Sequence, residues 1–151
     1  MAAGGHRRRH RKAVIRTAGR GDLRRIGEIR GAVRENRLAH PERIAADVGW
    51  LIDDGGFLVF EVDGTVQGFA AADRRNGSIF ALFVDPDFEG RGIGRALLAA
   101  ACARLAAKGH AKAALTTGHG TRAERFYRRG GWTATGLTDD GQVIFEKRIA
   151  A

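Results

Sequence analysis

The chain has 151 residues, a formal net charge of +9 and a single cysteine. This length predicts one domain that buries roughly 70% of its unfolded surface, and a single cysteine excludes a disulfide framework. No apolar run approaches the ~20 residues of a membrane span, and the basic start HRRRHRK lacks the apolar region of a signal peptide, so we expect a cytoplasmic protein without a membrane partner.

The excess positive charge is concentrated at the N-terminus. Residues 1–12 hold five of the 26 Lys and Arg and no acid, which leaves 21 basic against 17 acidic residues for the rest. We expect a disordered basic tail over residues 1–12 and one domain over residues 13–151. A solvated extension and a phosphate-binding arm both fit the tail. His6 and His10 lie among arginines, whose repulsion disfavours a metal site, and we expect no metal.

The first third of the chain predicts a strand and two helices. Ala13–Thr17 reads as a short strand, and Asp22 is a candidate N-cap for a helix that frays near Asn36. Pro41 suits the first turn of a second helix, which the pair Gly55-Gly56 ends.

A hairpin and a buried strand are predicted next. Phe57–Val62 and residues 66–72 are joined by Asp63-Gly64, a pair that readily supplies the positive φ angles of a type I′ turn. Asn76-Gly77 forms a second turn before Ser78–Val84, which is apolar after its first residue. Such a run is typical of a strand covered on both faces.

Three glycines at alternate positions, in the stretch FEGRGIGRALL (residues 88–98), lie between this strand and an alanine-rich helix. The helix is predicted to end at Lys108-Gly109, and within it Cys102 is either a small buried hydrophobe or a reactive thiol. Glycines allow a ligand to approach the backbone closely, and the free N–H groups of a first helical turn favour an anion. The stretch therefore predicts a phosphate cradle.

Two familiar phosphate sites do not fit this stretch. The dinucleotide fingerprint needs G-x-G-x-x-G, but the sixth position is Arg95 counted from Gly90 and Leu97 counted from Gly92. The acid expected ~20 residues later is also missing, because residues 95–123 contain no Asp or Glu. A Walker loop would need Lys and Ser or Thr where Arg95 and Ala96 stand.

The stretch EGRGIG instead resembles the pyrophosphate loop R/Q-x-x-G-x-G/A of the GNAT superfamily of acyl-CoA-dependent N-acetyltransferases, with Glu89 in place of the usual Gln or Arg. The segments LFVDPD (82–87) and TRAERFYRRGGW (121–132) resemble the family's preceding strand and later helix. The resemblance covers residue 13 to the end. It implies a single α/β (α+β) domain with a mixed, mostly antiparallel sheet of about seven strands, helices on both faces, and two parallel strands, 79–84 and Lys112–Thr117, that splay around the cofactor.

The resemblance also implies the site residues. The cofactor acetyl-CoA would be held by the backbone of the strand, by the loop and by two nearby arginines, a set that comprises Leu82, Phe83, Val84, Glu89, Gly90, Arg91, Gly92, Ile93, Gly94 and Arg95. Tyr127 occupies the position of the family's general acid, although a tyrosine beside Phe126 can also be a packing residue. His119 is either a pantetheine contact or an exposed loop histidine. Glu35 either attracts the acceptor amine or acts as its base, or it is a solvated charge at a helix end. No residue is nominated as the general base.

The implied function is transfer of an acetyl group from acetyl-CoA to a primary amine of a small molecule, peptide or protein. Two alternatives stay open: an acyl-CoA sensor without catalysis, and a nucleic-acid-associated protein that acts through its basic tail. The sequence has no recognition motif for nucleic acid beyond charge, so that partner is disfavoured. A homodimer is possible, and the acceptor is not determined.

Overall fold

The computed structural model describes residues 12–33 and 41–150, with the backbone alone described for residues 41–46. Its strands are β1 (Ala13–Thr17), β2 (Phe57–Val62), β3 (Thr65–Asp73), β4 (Ser78–Val84), β5 (Lys112–Thr117), β6 (Thr133–Leu137) and β7 (Val143–Arg148). Its α-helices are α1 (Leu23–Ala32), α2 (Pro41–Asp54), α3 (Ile93–Ala107) and α4 (Arg122–Arg129). The described residues include only Lys12 of the predicted tail. Glu35 and Asn36 also lie outside the described residues.

The strands form one seven-stranded sheet in the order β1-β2-β3-β4-β5-β7-β6, and every neighbouring pair is antiparallel except β4 and β5. One core cluster lies between the sheet and α3 and α4, and a second lies between the sheet and α1 and α2. The predicted fold, a mixed and mostly antiparallel sheet with helices on both faces, is confirmed.

Local turn chemistry explains the boundary between β2 and β3. Asp63 and Gly64 have φ angles of 49° and 85°, as the type I′ prediction required.

Cys102 on α3 is half-buried against the first core cluster, and burial raises the pKa of its thiol, which fits a packing role rather than a reactive one.

The prediction for α1 was right about the N-cap position and wrong about the C-terminal end. Asp22 is the N-cap residue of α1, but its side chain makes no capping hydrogen bond to this helix. Asp22 also ends a short 3₁₀ turn, where its carboxylate accepts the Gly19 N–H at 2.8 Å and pairs with Arg16 at 2.9 Å. The carboxylate is therefore committed to β1 and to the turn. The helix also ends at Ala32, earlier than predicted, because Val33 adopts an extended backbone.

Strands β4 and β5 are the feature that positions the site. They are joined at a single register pair, Ser78 opposite Ala114, supported by the Ala114 N–H donating to the Gly77 carbonyl at 3.0 Å. All the other neighbouring strands pair over four residues or more. Beyond Ser78 the two parallel strands therefore separate and leave a gap in the middle of the sheet.

Candidate functional site

An open cleft of about 920 Å³ lies at this gap. It is bounded by the end of α1, the second half of β4, the following loop, the start of α3 and one side of α4. The predicted site residues that line it are Leu82, Phe83, Val84, Glu89, Gly90, Gly92, Ile93, Gly94, Arg95 and Tyr127. The tertiary structure thus brings together three segments that are up to 45 positions apart in the sequence.

The backbone of β4 offers polar groups to the gap. The Asp85 N–H donates to the Gln67 carbonyl on β3 at 2.9 Å. Phe83, two positions before Asp85, is paired with Phe69 of β3. Because alternate residues of an antiparallel strand point their backbone groups to opposite sides, the N–H groups of Leu82 and Val84 point away from β3, toward the gap. The side chains of Leu82 and Val84 border the cleft and are half-buried against the first core cluster.

The glycine loop has the backbone conformation of a cradle. Gly90 and Gly92 have φ angles of 79° and 83°, and a Cβ added at either position would meet nothing within 4 Å. Helix α3 starts at once, with the Ala96 N–H donating to the Gly92 carbonyl at 3.1 Å, and no side chain caps it. The first-turn N–H groups are therefore available to a ligand at a terminus that favours negative charge.

Arginines surround the mouth of the cleft. Arg95, Arg125 and Arg129 line it, whereas Arg91 lies outside the lining, with its guanidinium 5.3 Å from the centre of the Phe88 ring. Glu89 is the one carboxylate among the described lining residues, and it pairs with Arg122 at 3.0 Å. The described mouth of the cleft is accordingly cationic.

An ion pair that sequence reasoning missed lies under the loop. The buried carboxylate of Asp85 accepts the Asp87 N–H at 3.0 Å and a guanidinium N–H of Arg25 on α1 at 2.5 Å. Burial acts to raise the pKa of Asp85, but the bonds from Asp87 and Arg25 outweigh it and hold this pKa below its ordinary value. Arg25 also donates to the Val66 carbonyl at 2.9 Å, so α1 is tied to β3 and to the loop. The Asp-Pro pair after a strand was the signal that could have predicted a capped turn here.

Tyr127 is held by an aromatic cluster and borders the cleft. Its ring centre lies 5.2 Å from that of Phe126, 5.8 Å from that of Trp132 and 5.9 Å from that of Phe145. The residue is 6% exposed, and no residue in the described ranges hydrogen-bonds to its hydroxyl. Burial, with a smaller contribution from the Cys102 thiol, raises the pKa of the phenol above its ordinary 10.0. The hydroxyl is therefore protonated at neutral pH.

A second carboxylate organises the start of α4. Glu124 accepts the Gly120 N–H at 2.7 Å and pairs with Arg128 at 2.9 Å, and these bonds lower its pKa. The Thr121 hydroxyl caps the helix by accepting the Glu124 N–H at 3.2 Å. The motif Thr-x-x-Glu was the sequence signal for this arrangement.

His119 lies 3.3 Å from Glu124 and is not among the residues that line the cleft, so its predicted cofactor contact stays a prediction.

The structure shows neither a metal site nor a membrane-spanning helix in residues 12–33 and 41–150. No group of three or more His, Cys, Asp and Glu residues in these ranges could hold a metal ion. No helix in the same part of the chain is long and apolar enough to cross a bilayer.

Residues 23–132 match the family model of the acetyltransferase (GNAT) family. The chain belongs to this family. This confirms the resemblance drawn from the loop and from the tyrosine helix.

Among curated GNAT-like relatives, the chain is 47% identical over 60 residues to an uncharacterised N-acetyltransferase of Methanocaldococcus jannaschii, covering 32% of this chain and 26% of the relative. It is 37% identical over 90 residues to an uncharacterised N-acetyltransferase of Archaeoglobus fulgidus, covering 52% and 61%. The chain thus spans less than two thirds of either relative.

Solved structures support the same fold. Ard1 from Thermoplasma volcanium superimposes with a TM-score of 0.79 at 20% identity, covering 92% of this chain and 99% of that one. The putative acetyltransferase yncA from Salmonella typhimurium, solved with its cofactor acetyl-CoA, superimposes with a TM-score of 0.71 at 19% identity, covering 93% and 95%. At these identities the likeness establishes the architecture of this GNAT domain.

Proposed function

We propose that this GNAT protein is an N-acetyltransferase that moves an acetyl group from acetyl-CoA to a primary amine. The observation that carries the proposal is the separation of the parallel strands β4 and β5 beside an uncapped, glycine-led helix start. The comparison with a family member solved with acetyl-CoA supports the choice of donor.

The residues of the cleft fit this donor. A pyrophosphate would lie against the open side of Gly90 and Gly92 and would receive the first-turn N–H groups of α3. Arg95, Arg125 and Arg129 would neutralise its charge and that of the remaining phosphate. The pantetheine arm would occupy the gap in the sheet and place its acetyl thioester near the end of β4. The thioester supplies an activated acyl carbon.

The chain's own groups would assist the transfer at two atoms. The N–H groups of Leu82 and Val84 face the gap and would donate to the carbonyl oxygen, where negative charge develops. As the amine nitrogen bonds to the acyl carbon and the C–S bond breaks, the Tyr127 hydroxyl would give its proton to the departing sulfur. The attacking amine must lose a proton, and we assign that step to solvent or to a residue outside the described ranges such as Glu35, because Glu89 pairs with Arg122.

The test is a panel of primary amines incubated with acetyl-CoA while released CoA thiol is measured. Amine-dependent release is expected, and acetyl-CoA should bind whether or not an amine is present. Tight acetyl-CoA binding with no release by any amine would favour the acyl-CoA sensor.

We also propose a reducing compartment such as the cytoplasm, on the ground of the single cysteine. A homodimer stays a prediction.

A further inference from the structure

Helix α4 presents a row of arginines to the cleft. Of its eight residues, Arg122, Arg125 and Arg129 line the cleft. Successive members are three and four positions apart, so all three lie on one face of the helix. Phe126 belongs to the same face, and its ring would be 3.7 Å from a Cβ added at Gly94, in the first turn of α3. This arginine face is therefore turned toward the phosphate cradle.

Two members of the arginine face have no anionic partner in the described structure. Arg122 pairs with Glu89 at 3.0 Å. In residues 12–33 and 47–150, by contrast, no acid pairs with the exposed side chain of Arg125 or Arg129, and no hydrogen bond holds either guanidinium. Like charges four positions apart on a helix repel each other and destabilise it. An anion that binds between these two arginines would remove that cost.

The depth of the cleft determines which end of the donor meets this pair. Tyr127, the proposed proton donor, is 6% exposed, whereas Arg125 and Arg129 are exposed at the mouth. The thioester must reach Tyr127, so the phosphate-bearing end of the donor extends to the mouth. There the first-turn N–H groups of α3 are taken by the pyrophosphate in the proposed function. The remaining phosphate of CoA, a monoester on the 3′ oxygen of the ribose, needs a partner of its own.

The chemistry of the pair suits a phosphate monoester. Such a group carries a charge of about −1.5 to −2 at neutral pH and has three acceptor oxygens. Two guanidiniums one helical turn apart can each give it two parallel N–H donors. Arg129 lies in the last turn of α4, where the helix dipole favours any cation, but Arg125 lies in the middle of the helix and the dipole does not explain it.

We propose that Arg125 and Arg129 form a binding subsite for the ribose 3′-phosphate of the donor, so that the protein selects CoA thioesters over 3′-dephospho-CoA thioesters. This inference rests on the proposed function, because it places the pyrophosphate at the start of α3. The subsite is remote from the acyl carbon and binds the donor equally before and during the reaction. Its loss therefore raises the KM for the donor and leaves kcat largely unchanged.

The binding test compares CoA with 3′-dephospho-CoA by calorimetry. The unmodified protein is expected to bind CoA on the order of tenfold or more tightly than 3′-dephospho-CoA. Replacing both Arg125 and Arg129 by Met should bring this ratio to about 1, chiefly by weakening CoA. Replacing both by Lys keeps the charge but not the planar fork, and should keep part of the ratio.

A matched control removes two positive charges elsewhere. Arg24 is 92% exposed at the start of α1, and Arg148 is exposed opposite Lys112, at the end of β5 away from the gap. Neither lines the cleft. Replacing both by Met should keep the full ratio, which separates a local subsite from the effect of net charge.

Equal binding of the two ligands by the unmodified protein, or an unchanged ratio in the Arg125→Met, Arg129→Met variant, overturns the inference and leaves the proposed function intact. If that variant weakens both ligands by the same factor, the two arginines bind the pyrophosphate, and the inference is again overturned. Binding of neither ligand overturns the inference together with the proposed donor.

Two further measurements separate binding from folding and from chemistry. The ligand-free melting temperature of the Arg125→Met, Arg129→Met variant should stay within ~2 °C of the unmodified protein, since both side chains are exposed. A fall of several degrees with an unchanged ligand ratio would show that the arginines support the fold instead. With an accepted amine, the KM for acetyl-CoA should rise on the order of tenfold in this variant, and a loss confined to kcat would contradict the subsite.

Discussion

Replacing Tyr127 by Phe separates the proposed proton donor from the packing residue. The ring keeps its contacts with Phe126, Trp132 and Phe145, and no described residue loses a hydrogen bond with the hydroxyl. The free energy of unfolding should therefore change by less than about 1 kcal/mol, which is a shift of at most about 4 °C. Tyr127→Ala, in contrast, should lose ~3–5 kcal/mol because it empties the cluster.

The expected effect on catalysis is much larger. A thiol with a pKa of about 8.5 leaves more readily when it is protonated, and loss of a positioned donor costs on the order of 10² in rate, or about 2.7 kcal/mol of activation free energy. Acetyl-CoA affinity should stay within a few-fold. Because burial raises the pKa of Tyr127 above 10.0, the kcat of the unmodified protein should show no loss up to about pH 9 from its ionisation.

The assay combines CoA-thiol release with an accepted amine, calorimetric binding of acetyl-CoA and thermal unfolding. Trp132→Phe is the control, since it perturbs the same aromatic cluster and leaves the hydroxyl in place. An unchanged kcat in Tyr127→Phe would refute the reasoning and leave Tyr127 as a packing residue. A kcat loss of equal size in Trp132→Phe would assign the effect to packing.

Four further outcomes are expected. Acetyl-CoA at 100 times its dissociation constant should stabilise the fold by ~2.7 kcal/mol in thermal unfolding, and an equal gain from NAD or ATP would contradict the loop assignment. Gly94→Val should remain folded but lose acetyl-CoA affinity by calorimetry, because its Cβ would meet Val84 at 3.6 Å and Phe126 at 3.7 Å, both ordinary contacts, and would occupy part of the cleft that Gly94 lines. Gly92→Ala should lose ~1–2 kcal/mol of stability because of its φ of 83°. Because the pKa of Asp85 is held below its ordinary 3.8, its ion pair with Arg25 should contribute stability above about pH 4 that is lost as the pH falls further. Asp85→Asn should therefore weaken the fall of the melting temperature below about pH 4. A melting temperature that falls as steeply in Asp85→Asn as in the unmodified protein would contradict this.

The glycine loop and the tyrosine helix could be predicted because their signals are local. A positive φ at Gly90 and Gly92, the helix start at Ile93 and the type I′ turn at Asp63 depend on residues within a few positions of each other. The order of strands and helices as far as α3 followed from periodicity and turn residues in the same way, whereas β5 and α4 were implied by the family resemblance and β6 and β7 were not placed individually. These signals were sufficient for the family and for the position of the cradle.

The missing side-chain bond at the N-cap of α1 shows where local reasoning fails. Asp22 has the residue type and the position of an N-cap, but its carboxylate is taken by Arg16, which reaches it from β1 and also pairs with Glu61 on β2. A competing partner from a neighbouring strand outweighs a cap of about 1 kcal/mol. The sequence around Asp22 does not show that Arg16 lies within reach.

The sequence by itself determined the family, the order of the elements as far as α3 and the backbone cradle, because each depends on spacing within one segment. Only the tertiary structure decided that β4 and β5 meet at one register pair and that Leu82 and Val84 rather than Phe83 turn their N–H groups to the gap. Strand register arises from contacts between segments distant in the chain, and no local pattern records it.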